Sequence, residues 1–165
     1  MADIKLIGTN LVDPYYPDSS LNAILASRFK ALDDGYSHNM RVYSGALGNA
    51  KLAIYEDVGG DPGNKIYGDD TSRAISYYGW QYIVFNGVRL EYNSYYWLAI
   101  RQDTAQIACF DGESGGGIVA ASLPWANSWP TTPSWGSITS NYSYGLQVWG
   151  VKLTPGIIGG IPSNV

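Results

Sequence analysis

The residues best suited to recognition chemistry lie in Leu123–Trp135, LPWANSWPTTPSW, where Trp125, Trp129 and Trp135 are interspersed with Pro124, Pro130 and Pro133. Proline fixes φ and removes a backbone donor, so this segment can be neither a central strand nor a helix. Tryptophans held on such a loop can stack on sugar rings, with Asn127, Ser128 and Thr131 offering hydrogen bonds. They can equally fold inward and cap the open end of a sandwich. The large apolar area of a buried indole favours that second use for at least two of the three.

A second set is acidic: Glu56, Asp57, Asp61, Asp69 and Asp70 crowd one turn-rich stretch. Calcium takes carboxylate and carbonyl oxygens from such loops, so a calcium site is one chemistry this set can support. The spacing is not that of an EF-hand, and acidic side chains also simply solvate exposed turns. Glycoside hydrolysis needs two carboxylates astride the scissile bond, and none here stands in an apolar setting that would raise its pKa. Ser114, in DGESGGGIV (Asp111–Val119), would need a histidine base and an orienting acid to act as a nucleophile. His38, in YSHNMRV, is the only histidine. A glycine-rich loop between strands accounts for the run equally well. One histidine and one cysteine, Cys109, cannot build a zinc or copper site within the chain. No catalytic role is expected, and a small hydrolase is the only enzyme class left to weigh.

These groups must be positioned by strands. The run Gly79–Asp103, GWQYIVFNGVRLEYNSYYWLAIRQD, predicts strands at Trp80–Phe85 and Tyr95–Arg101 separated by a turn at Asn86-Gly87. In the second, Tyr95, Trp97, Ala99 and Arg101 share one face and Tyr96, Leu98 and Ile100 the other. Both faces are largely apolar, which belongs in the middle of a packed sheet. Asn49–Glu56, NAKLAIYE, alternates cleanly and is closed by the turn residues of Asp57–Gly63. Leu21–Leu32 has some helical spacing, but a strand from Ala26 to Leu32 fits its alternation better. Further strands are expected in HNMRVYSG (His38–Gly45) and near Ser72–Ser76, Ile107–Phe110 and Gly145–Leu153. The total is about eight or nine strands in an all-β, single jelly-roll-like antiparallel β-sandwich.

Composition agrees. With 14 Tyr, 6 Trp and 20 Gly against 15% charged residues, the chain favours strands and turns, and 165 residues suffice for one core without a disulfide. A net charge of −4 with no basic cluster argues against nucleic acid as a partner. No apolar run has membrane-spanning length, and MADIKLIGTN has no signal-peptide pattern. Residues 1–153 are read as the sandwich with an N-terminal lead-in. Residues 154–165 form an apolar Gly/Pro-containing tail, whose Ile157, Ile158 and Ile161 either pack back on the domain or dock on a neighbouring subunit.

The series RF, DDG, MRVYSG, AKLAIYEDVGGDPGN, GVRLE, YYWLAI and SYGLQVWGV, spread over Ala26–Val151, resembles the jelly-roll sandwich modules repeated in bacterial and archaeal surface proteins and found in some virion proteins. The resemblance implies a non-catalytic structural or assembly subunit, viral or on a cell surface, that self-associates or docks into a larger assembly. The alternative is a carbohydrate-binding module that meets a glycan with Trp125, Trp129, Trp135 and Asn127.

Overall fold

A computed structural model describes residues 2–9 and 16–153. It is all-β, with no helix among the described residues, and every strand pairing is antiparallel. The strands are β1 (Ile4–Gly8), β2 (Tyr16–Pro17), β3 (Ala23–Lys30), β4 (Gly35–Ser44), β5 (Gly48–Val58), β6 (Asp61–Ile75), β7 (Gly79–Val84), β8 (Arg89–Leu90), β9 (Tyr95–Gln102), β10 (Cys109–Ser122), β11 (Thr139–Tyr144) and β12 (Leu146–Lys152). One sheet runs β1-β12-β4-β7, with β8 also on β4; the other runs β11-β10-β3-β9-β5-β6, with β2 also on β10. The chain crosses repeatedly from one sheet to the other, which produces the jelly-roll-like wind.

Period-two alternation places the core. On β5, Ala50, Leu52 and Ile54 point between the sheets, and on β9 Tyr96, Leu98 and Ile100 do the same. They meet Met40 and Val42 of β4, Ile83 of β7 and Val148 of β12. The opposite faces of β5 and β9 are also dry. Ala53, Tyr55, Trp97 and Ala99 join Ile24, Ala26, Val119, Ala121 and Trp129 in a second apolar cluster on the outside of the seven-stranded sheet. The expectation that β9 lies mid-sheet with both faces buried therefore holds: Trp97 and Leu98 are both 0% exposed. The strand expected at Trp80–Phe85, β7, is instead the last strand of the other sheet.

Three expectations are corrected. Twelve strands form among the described residues rather than eight or nine, because short pairings such as β2 and β8 carry no alternation signal. Asp111–Val119 is not a loop but lies inside the long β10, where β11 flanks one side and β2 and β3 the other, overriding the low strand propensity of glycine. The strand placed at Ala26–Leu32 begins earlier, at Ala23, because Ile24 and Leu25 bury their side chains on opposite faces of the sheet. The reversal at Asp57–Gly63 is a tight turn through Gly59 and Gly60, both at positive φ. The assembly residues Ile157, Ile158 and Ile161 lie outside the described residues.

Candidate binding surfaces

The Trp/Pro segment between β10 and β11 does not cap the open end of the sandwich. It lies flat on the outer face of the seven-stranded sheet and closes the second apolar cluster. A bridge between Ala121 and Trp135 ties the end of this path back to β10, and Pro133 is buried within it. Trp129 is 3% exposed, and its ring meets Tyr55 edge-on at 6.3 Å. Trp135 meets the same tyrosine edge-on at 5.2 Å. Gly68 of β6 permits this close approach, since a Cβ there would stand 2.9 Å from Cγ of Trp129.

Side chains of the sheet grip the loop through its carbonyls. Tyr55 Oη donates to Pro130 O (3.0 Å), Lys51 Nζ to Trp125 O (3.0 Å) and Lys65 Nζ to Trp129 O (2.8 Å). Arg101, 1% exposed, donates to Asn127 O (2.7 Å) and to Pro124 O. Its guanidinium lies 5.3 Å from the ring centroid of Trp129 and 5.7 Å from that of Trp125, while Lys51 lies 4.5 Å from the latter. Burial holds Arg101 below its ordinary pKa and pushes the Tyr55 phenol above its own. In return the loop donates to the sheet: Trp129 N to Asp70 Oδ1 (2.9 Å) and Trp129 Nε1 to Asp69 O (3.0 Å). Of the residues proposed for glycan stacking, Trp129 is buried, Trp125 and Trp135 are half-buried, and Asn127 is exposed. Alternation alone places Arg101 on the Trp97 face. The loop that would cover it could not be read that way.

The five acidic residues do not come together. Asp57 is held by a bidentate Arg28 (2.6 and 2.9 Å), by Trp97 Nε1 (2.9 Å) and by the Gly60 amide. Burial pushes its carboxyl up, but these donors outweigh that and hold it below the usual range. Asp69 pairs with Arg73 at 2.6 Å and is likewise held low, while Asp70 receives the Trp129 amide. Glu56 and Asp61 are exposed. Among the described residues no three metal-ligating side chains are grouped to hold an ion. Ser114 and His38 belong to different sheets, and His38 Nδ1 instead lies 2.9 Å from Asp3 Oδ1.

The surface that sequence reasoning missed is the outer face of the five-stranded sheet at its β7 edge. Cross-strand register sets Trp80 beside Tyr43, Tyr82 beside Arg41 and Val84 beside Asn39. Tyr43 and Trp80 meet edge-on at 5.4 Å, and the Arg41 guanidinium stacks 3.8 Å above Trp149. No loop covers these rings among the described residues: Tyr82 is 71% exposed, Val84 54% and, in the preceding turn, Tyr78 68%. The only sequence signal for this surface was the aromatic alternation of β7 itself. Comparison of the chain with known protein families, curated proteins and solved structures finds no match.

Proposed function

We propose that this chain is a non-catalytic β-sandwich subunit that works by assembly, in the manner of the virion and cell-surface modules it resembles. The observation that carries this reading is the bare aromatic edge of the five-stranded sheet, centred on Tyr82. Exposed large apolar side chains occur elsewhere on the domain, Val58 and Tyr92 among them. At this edge they follow one another along a single strand, and a contiguous exposed apolar strip marks an interaction surface. Catalysis gains no support, because the carboxylates Asp57 and Asp69 are committed to arginines and the chain's one histidine, His38, belongs to a strand of the other sheet from β10, which carries Ser114. The glycan reading weakens at its chosen site, because the loop tryptophans serve as the lid of an apolar layer.

Sedimentation of the full chain over a wide concentration range tests the reading. A mass above that of the 17.9 kDa chain, rising with concentration, is expected. A monomer at every concentration overturns it.

A further inference from the structure

Sheets leave unpaired N–H and C=O groups at their edge strands, and folded proteins blunt those edges with charge, proline, bulges or irregular backbone. Among the described residues, three of the four terminal strands carry such devices. β1 has Lys5 and a register shift. β6 has Pro62, Lys65, Asp69, Asp70 and Arg73 with several shifts. β11 has Asn141 at a φ of 64° and a shift against β10. β7 has one only at its first residue, Gly79 at a φ of 90°; from Trp80 to Val84 it contains no charge and no proline, and its register against β4 is unbroken. The whole stretch 74–88 is uncharged.

The direction of the free groups follows from two bonds. Phe85 N donates to His38 O, so residue 85 faces β4; Tyr43 N donates to Gly145 O, so residue 43 faces away from β7. Alternation then turns the main-chain groups of Gln81 and Ile83 toward β4, and those of Trp80, Tyr82 and Val84 outward. Resting on the assembly reading, we propose that β7 pairs antiparallel with β7 of a second copy about a twofold axis at Tyr82, joining the two five-stranded sheets into one.

In that register Tyr82 exchanges both hydrogen bonds with its counterpart, and Trp80 does so with Val84. All outward groups of the three residues are then satisfied, and their side chains, exposed at Tyr82 and Val84 and half-buried at Trp80, line one continuous face. The occupant is a second copy because the edge is self-complementary. An acidic protein would repel itself elsewhere, but this uncharged strand sets no like charges opposite each other. Such a contact uses up β7 on both copies and closes at the dimer. A strand of this length buries roughly half of the about 800 Å² per partner usual for a stable complex, so the association is reversible.

The test uses the full chain, Tyr82→Pro and Tyr82→Lys. Proline at 82 removes an amide that does not face β4, so the monomer keeps its ladder while the central pair of the dimer is lost. Lysine at 82 sets like charges on the axis. Melting temperature and near-UV circular dichroism establish that each variant folds. The expected results are a doubling of mass for the parent, its loss in both folded variants, and slowed amide exchange at Trp80, Tyr82 and Val84 only in the dimer. An oligomer that persists in both folded variants, or that vanishes instead on removing residues 156–165, keeps the assembly reading and overturns β7 pairing. A parent that is monomeric throughout overturns both.

Discussion

Replacing Trp129 by alanine measures whether the outer apolar layer is a true second core. The ring is 3% exposed, so nearly its whole surface is lost from contact. Aromatic side chains bury about 150–250 Å², Trp at the upper end, and about 25 cal/mol/Å² turns that into roughly 6 kcal/mol as an upper bound. Partial collapse of the loop toward Tyr55 and Gly68 brings the expected loss to about 3–5 kcal/mol. The stranded Asp69 carbonyl, which accepts from Trp129 Nε1, lies within that range rather than beyond it. Urea unfolding followed by far-UV circular dichroism reads the difference, with an unchanged m-value showing that the same surface is exposed on unfolding. A loss under about 1 kcal/mol at unchanged m would refute the reasoning, because a merely surface-bound indole costs that little.

Leu98→Ala, at a fully buried position of the inner core, is expected to cost about 2–5 kcal/mol in the same assay, and a near-neutral result would contradict its central place. Asp57→Asn breaks the bidentate grip on Arg28 and should cost about 1–3 kcal/mol at neutral pH. Because the folded pKa of Asp57 lies below its unfolded value, that contribution is fully present above the ordinary carboxylate range and lost as pH falls through the folded value. The stability gap between parent and Asp57→Asn should therefore narrow on acidification, and a gap that widens would show that the pair is not what Asp57 contributes.

How much of this was legible depends on what each residue's environment owes to its neighbours in sequence. β5 and β9 declared themselves because both of their faces are buried and alternation alone sorts Leu52 from Tyr55 and Leu98 from Trp97. The place of β7 did not, since alternation fixes which side chains share a face but says nothing about which strand lies at an edge. The glycines of β10 concealed a strand, for the pairing of Gly112 and Gly117 comes from Tyr142 and Ser140 of β11, residues far away in the chain. The acidic cluster existed only in sequence. Arg28, Arg73 and the Trp129 amide, drawn from three different places, dispersed it into separate pairs. The Trp loop is read from sequence as capping the open end with at least two buried indoles, whereas of the three only Trp129 is buried, and the layer the loop covers is defined by Tyr55, Trp97 and Arg101, which no local pattern joins to residues 123–135.

Apart from the anchoring ring of Trp129, the sheet's side-chain donors grip that loop through backbone oxygens: Pro124, Trp125, Asn127, Trp129 and Pro130 present carbonyls to side chains rooted in the sheet. A carbonyl is the same whichever residue bears it. The loop's path is thus encoded mainly beneath it, and its outward positions, Ala126, Asn127, Ser128 and Thr131, are exposed and can drift freely without disturbing the path. The domain therefore carries a fixed frame with interchangeable lettering, a place where new side chains can be grafted or selected while the scaffold stays indifferent to them.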